Sequence, residues 1–158
     1  MVKQISIESV IQGFKAGFEE TFEKVQGIYL DRGTSLFETL ETITAEQASR
    51  PVSDRCATIA AHVAHTNFYL EVLEDIMHKK KRESVDWGEI WRTVSAVTPE
   101  AWEASKATLK TTYQRIMADI QDNELWEDDH EISCVFGMII HSAYHLGEIR
   151  QALCHIGD

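Results

Sequence analysis

The histidines of the last helical segment are the residues whose type and spacing are best suited to chemistry. His141 and His145 are four residues apart, and in an α-helix this spacing places two side chains on one face, one turn apart. Two imidazole rings so placed can converge on one metal ion. Histidines at this spacing also occur on helices that bind no metal, where they are hydrogen-bonded in the core, and the spacing alone leaves both interpretations open.

An earlier helical segment supplies two further histidines. Its apolar residues repeat every three or four positions over residues 59–77, and His62 lies about 60° from this seam whereas His65 lies about 120° from it. His62 therefore points closer to the interior. Three imidazoles on two facing helices would form a nitrogen-rich site suited to zinc, nickel, copper or iron(II), with one or more positions open for water or substrate.

Glu148 lies on the same stripe as the two histidines of the last segment, three residues after His145. Its carboxylate could orient an imidazole, reach a metal through a water, or act as a general base. It could equally face solvent, as glutamates commonly do. The sequence leaves these roles open, and Glu148 is the candidate for a residue that orients a metal ligand or acts as a catalytic base.

Three nearby side chains are interpreted as structural. Cys134 lies two turns before His141, about 10 Å of helical rise, which is too far for the two to share an ion. It is predicted to be a small buried hydrophobe. Tyr144 is predicted to pack on another side of the helix, and Trp91 to anchor the core or a loop.

The elements that must position the histidines read as helices, because apolar side chains recur at helical spacing along most of the chain. The four long predicted helices carry apolar side chains from Ile7 to Tyr29, from about Cys56 to Met77, from Trp102 to Ile120 and from Ile132 to Ile156. In the first, the polar face is predicted to include Glu19 and Glu20. In the last, the apolar circumference over residues 135–143 predicts a helix surrounded by others.

Helix-start signals and short segments complete the prediction. Thr98-Pro99-Glu100 and residues 128–131 each resemble a helix start, and Thr44 with Gln47 has the form of a capping box. Short helical turns joined by a loop are expected near residues 36–40 and 44–47, and a short helix or an ordered loop is expected near residues 87–91. The predicted fold is an all-α four-helix bundle with short additional helices in the connections.

Length and charge restrict the classes of partner. A chain of 158 residues predicts one domain, residues 1–158. Its net charge of −11 repels nucleic-acid phosphates and anionic lipid surfaces, so neither nucleic acid nor membrane is expected as a partner. No leader pattern or span of ~20 apolar residues is present, and the three cysteines form no CxxC pair, which predicts a cytoplasmic protein with reduced thiols.

The segment from His141 to Glu148, with the order His-Ser-Ala-Tyr-His-Leu-Gly-Glu, resembles the HxxxHxGQ signature of the DinB-like superfamily, the DinB/YfiT-like metal-dependent hydrolases. Both histidines and Gly147 match. Glu148 departs from the pattern, because the family commonly has glutamine at that position, and this departure changes the charge of the site by one.

A second segment strengthens the resemblance. Residues 58–65 are similar to the family's second-helix motif, in which a histidine followed by an aliphatic residue supplies the first metal ligand. This similarity favours His62 over His65. The resemblance extends through residues 36–48, Trp87 and Trp91 to the helix start at residues 98–100, and so covers most of the chain.

The resemblance implies a four-helix bundle with a long crossover and a three-histidine site of His62, His141 and His145. The site would hold one divalent transition metal per chain, zinc or nickel, and the protein would be a homodimer. The implied activity is that of a metal-dependent enzyme, a low-molecular-weight thiol S-transferase or a hydrolase acting on a small molecule. A non-catalytic metal-stabilised or ligand-binding helical-bundle dimer is the alternative.

Overall fold

The computed structural model describes residues 5–81, 84–122 and 125–157, and within these ranges the chain is all-helical, as predicted, and forms no strand. Seven helices are present in the described ranges. They are α1 (Ile7–Phe22), α2 (Leu36–Glu41), α3 (Ala45–Ser49), α4 (Ile59–Met77), α5 (Glu89–Thr93), α6 (Pro99–Gln121) and α7 (Asp129–Ile156). Among the helices of these ranges, none has the length and apolar character needed to cross a membrane.

The four long helices pack on one another around a common apolar core. Helix α4 packs on α6 and α7, and α1 packs on the same two helices. Phe18, Leu70, Trp102 and Met138, one from each long helix, are all fully buried. The indole N–H of Trp102 donates to the backbone carbonyl of Ile43 at 2.8 Å, which ties α6 to the α2–α3 connection. The most extensive packing joins α4 to α7, the two helices that carry the candidate histidines.

The predicted helix starts are confirmed. Thr98 accepts a hydrogen bond from a first-turn backbone N–H of α6. Asp128 and Glu131 form a capping box at the start of α7, and Thr44 and Gln47 form one at the start of α3. Each cap satisfies backbone N–H groups that have no partner within the helix. Because the capping residues lie within one turn of the boundary, the sequence predicts these helix starts.

The end of α1 differs from the prediction, because the helix stops at Phe22 although apolar side chains continue to Tyr29. Glu20, placed on the polar face by the sequence pattern, is instead fully buried. Its carboxylate accepts four hydrogen bonds from the loop that follows α1 and so holds that loop against the helix. Gly27 adopts a positive φ of 87° within the loop. The donors are the backbone N–H groups of Gln26, Ile28, Tyr29 and Leu30, at 2.6–2.9 Å.

The environment of α7 also differs from the prediction. Phe136, Ile140 and Tyr144 follow one another at four-residue spacing and are 56%, 52% and 61% exposed, so other helices do not surround α7. The helix packs mainly on α1 and α4 and leaves more than half of each of these side chains exposed, although the Phe136 ring meets Phe14 of α1 edge-on. The buried side of the same helix holds Cys134, which is a small buried residue as predicted, and His145.

Candidate metal centre

Four histidines from α4 and α7 meet at the wall of one open pocket. His62 and His65 come from α4, and His141 and His145 come from α7. Their relative exposures are 9% for His62, 6% for His65 and 4% for His145, whereas His141 is half-buried. The pocket has a volume of about 990 Å³. The close packing of α4 on α7 thus collects every histidine that the sequence singled out, together with His65.

His145 lies between two of its neighbours. Its Nδ1 atom is 3.1 Å from Nδ1 of His62, and its Nε2 atom is 3.1 Å from Nε2 of His141. Two imidazole nitrogens bound to one zinc ion at ~2.0–2.1 Å would be roughly 3.0–3.5 Å apart. The observed separations therefore suit shared metal ligands, and they also suit hydrogen bonds between imidazoles.

The donor atoms form two overlapping groups of three. His65, His141 and His145 have donor atoms within 4.8 Å of one another, and so do His62, His145 and Glu148. Within the described part of the chain, the predicted trio of His62, His141 and His145 does not form such a group. The reason is that His62 and His141 face different nitrogens of the His145 ring.

Glu148 contacts the histidines directly. Its Oε2 atom lies 2.8 Å from Nδ1 of His145 and 3.4 Å from Nδ1 of His62, while its side chain remains 36% exposed. Its Oε1 atom accepts a hydrogen bond from the hydroxyl of Tyr144 at 2.9 Å. Glu148 therefore orients an imidazole and also borders solvent. The prediction that Tyr144 packs was wrong, since its ring is exposed and its hydroxyl holds Glu148.

The protonation of the histidines favours metal binding. Burial, reinforced by neighbouring imidazoles, lowers the pKa of both His141 and His145 to about 4. Burial also lowers the pKa of His62 and of His65. The rings of His141 and His145 are consequently neutral at pH 7, and only a neutral imidazole has a lone pair to offer to a metal.

The lowered pKa values predict that the metal-free protein loses stability as the pH falls. In the unfolded chain these two histidines take up protons near pH 6.5, whereas in the folded protein they do so only near pH 4. The contribution of the neutral rings to the free energy of unfolding is therefore complete above pH 6.5 and is lost as the pH falls towards 4. Urea unfolding in chelator at pH 7 and pH 5 measures this loss. We expect a smaller loss of stability in His141→Asn than in the parent. Equal losses would contradict the conclusion that the lowered pKa of His141 contributes to the pH dependence.

Aromatic rings that the sequence did not assign to the site enclose the histidines. The Tyr69 ring stacks on His141 with centroids 3.6 Å apart, and the Trp91 ring lies 4.3 Å from His65 and 5.3 Å from His62. Trp91 therefore lines the pocket and contacts the imidazoles. Tyr69 follows His65 by four residues, so its place on the same helical face was available in the sequence.

The residues present fit a divalent transition metal. Nδ1 of His65 is buried without a hydrogen-bond partner among the described residues, although buried polar atoms normally have one. The donors are imidazole nitrogens with a single carboxylate, a set suited to zinc, nickel or copper and poorly suited to magnesium or calcium. His65, which the angular position ranked below His62, belongs to the cluster as closely as His62 does.

Comparison of the chain with protein-family models, with curated proteins and with solved structures found no match. The resemblance to the DinB-like superfamily therefore rests on the two histidine motifs and the flanking segments of the sequence.

Proposed function

We propose that this chain binds a divalent transition metal, zinc or nickel, through His62, His141 and His145 and uses it in a DinB-like enzyme activity. The observation that carries the proposal is the convergence of these three imidazoles, with His65 and Glu148, on the wall of one open pocket. Because His62 and His141 face different nitrogens of the His145 ring, one ion on the trio requires that ring to turn when the metal binds. One ion per chain is the minimum that the proposal requires.

The proposed fold is a DinB-like four-helix bundle made of the long helices α1, α4, α6 and α7. The packing of α4 and of α1 on both α6 and α7 supports it, because each long helix then has two long neighbours. The short helices α2, α3 and α5 lie in the connections, as the prediction expects. In this arrangement the metal centre belongs to the α4–α7 pair.

The proposed reaction is transfer of a low-molecular-weight thiol or hydrolysis. A divalent ion held by neutral imidazoles is a Lewis acid that lowers the pKa of a water or thiol towards neutrality. Glu148 holds His145 in place through one carboxylate oxygen and is exposed enough to accept a proton from a molecule in the pocket. We therefore assign Glu148 the role of positioning residue and proton acceptor.

The pocket supports a small-molecule substrate. Its volume of about 990 Å³ is at the upper end of the range of ligand pockets, roughly 300–1,000 Å³. Val52, Ala57 and Trp91 give its wall an apolar character, while Arg55 and Gln151 provide polar groups beside the histidines. A compound with an apolar body and a polar group fits this lining.

Turnover that depends on added metal tests the proposal. The protein is stripped with chelator, reloaded with zinc or nickel, and assayed for thiol addition to electrophiles and for ester and amide hydrolysis. We expect activity only after reloading, with a loss of about 10²-fold or more in Glu148→Gln if the carboxylate accepts the proton. A protein that binds metal and accelerates none of these reactions would contradict the enzymatic part of the proposal.

The second candidate is a non-catalytic, metal-stabilised dimer. The contact of Glu148 with two histidines favours it, because a structural zinc site usually closes its fourth position with a protein ligand. The exposed stripe of Phe136, Ile140 and Tyr144 supports the homodimer that we also propose, since contiguous exposed apolar surface commonly marks an interface. Metal binding without turnover, in a dimer, is the result that this candidate predicts.

A further inference from the structure

We propose that the histidine cluster holds two divalent ions, one on each side of the His145 ring, and that this ring bridges them. One ion would bind Nε2 of His145 together with His65 and His141. The other would bind Nδ1 of His145 together with His62 and Glu148. This inference rests on the proposed metal site and extends it from one ion to two.

The geometry is most complete on the Nδ1 side of His145. The three donor atoms there are separated by 2.8 Å (Glu148 to His145), 3.1 Å (His62 to His145) and 3.4 Å (Glu148 to His62). All three separations are close to the ~3.0–3.5 Å expected between donors to one zinc ion. The carboxylate also supplies a negative charge, which offsets part of the charge of a second cation brought into the cluster.

The Nε2 side of His145 offers a second set. Nε2 of His141 is 3.1 Å away, and His65 offers a donor within 4.8 Å of both partners. His65 is 6% exposed, and its Nδ1 atom has no hydrogen-bond partner among the described residues. The His65 ring lies 5.1 Å from the His141 ring and 5.0 Å from the His145 ring, centroid to centroid. The unsatisfied, buried Nδ1 atom is an independent indication that this imidazole binds a ligand.

The shape of the imidazole ring is the reason for two ions. Its Nδ1 and Nε2 lone pairs point away from each other, so one ion cannot bind both atoms of His145. A single ion on His62, His141 and His145 would require the His145 ring to turn, whereas two ions use the donors where they lie. A neutral imidazole carries one N–H, and binding at both nitrogens would release that proton to solvent.

Metal stoichiometry tests the proposal on the full chain. Metal-free protein is dialysed against excess zinc, and bound zinc is counted by plasma mass spectrometry. We expect two ions in the parent, one in His62→Ala, one in His65→Ala and none retained tightly in His145→Ala. His130→Ala, which changes an exposed histidine at the start of α7 outside both groups, should keep two.

Copper(II) provides a readout of the bridge itself. An imidazole that bridges two copper(II) ions couples their spins, so the paramagnetic resonance signal per copper should fall when the second equivalent binds. In His62→Ala, which retains one site, the signal should instead remain proportional to bound copper. The circular dichroism of each variant checks its helical content, and the asparagine variant at the same position replaces any alanine variant that does not fold.

The outcomes separate the two proposals. One zinc per parent chain, with His65→Ala unchanged, would overturn the bridge and leave the proposed metal site intact. Two ions with a full, uncoupled copper signal would overturn the bridging role of His145. No bound ion in the parent would overturn both the bridge and the proposed function.

Discussion

Replacement of His145 by alanine is expected to lower the affinity for zinc or nickel by about 100-fold or more, since even the loss of residues that only orient a ligand costs roughly 10-fold to 100-fold. His145 belongs to both groups of donor atoms, and every other candidate ligand pairs with it. Its removal therefore leaves no group of three among the four histidines and Glu148. Equilibrium dialysis against a competing chelator measures the change.

The matched control for this prediction is His130→Ala, also on α7 but exposed and distant from both groups. It should bind metal as the parent does. Because His145 is buried, His145→Asn is measured beside the alanine variant to separate loss of the ligand from loss of packing. Parent-like affinity in both His145 variants would contradict the proposed centre.

Replacement of Glu20 by alanine is expected to destabilise the fold by about 3 kcal/mol. Hydrogen bonds to a charged group contribute ~1.5–3 kcal/mol each, and four backbone N–H groups would lose their acceptor, although those at the surface regain water. Glu20→Gln should also destabilise the fold, because its one oxygen can accept only two of the four bonds and its NH2 group then faces the other two N–H donors. Urea or thermal unfolding of the two variants and the parent measures the difference.

The pH dependence of this contribution has a definite sign. Burial alone would raise the pKa of Glu20, but its backbone N–H donors outweigh burial and lower the pKa to about 2. The stabilisation is therefore complete above about pH 4.5, the pKa of an unperturbed glutamate, and is lost as the pH falls towards 2. The neighbouring Glu19→Gln, a partly exposed control, should change stability by less than ~0.5 kcal/mol. Equal effects from the two positions would contradict the role of Glu20.

The helix starts could be predicted because their signals are local. The caps at Thr98 and Asp128 depend on residues within one turn, and the structure confirms them. The end of α1 could not be predicted, because the apolar period continues past Phe22 and the decisive carboxylate of Glu20 contacts residues up to ten positions away. Periodicity reports which side chains are apolar and gives no information on such a contact.

The exposed stripe of α7 could not be predicted for a related reason. An apolar circumference indicates that a helix is buried on all sides, and the sequence analysis predicted that other helices of the same chain bury it. In the structure Phe136 and Ile140 remain about half exposed, although the Phe136 ring meets Phe14 of α1 edge-on at a centroid distance of 6.5 Å. Whether a partner covers them depends on assembly, which the helical pattern of one chain does not specify.

The candidate site likewise has features that local sequence predicts and features that depend on tertiary packing. The convergence of His141 and His145 follows from helical spacing alone, and the structure places their rings together. The choice between His62 and His65 depends on how α4 is rotated against α7, and both rings reach the cluster. The orientation of the His145 ring depends on Glu148, three residues along the same helix, and on His62 and His65, which reach the ring from α4 through tertiary contacts. Periodicity in the sequence does not specify these tertiary contacts.

Metal content is the most direct test of the central claim that this cluster is a metal centre. Untagged protein is purified without chelator and analysed by plasma mass spectrometry beside His145→Ala and His130→Ala. We predict at least one zinc or nickel ion per chain in the parent and in His130→Ala, and a loss of that ion in His145→Ala. A parent protein that contains no metal, and takes up none after incubation with zinc and nickel, would contradict the account.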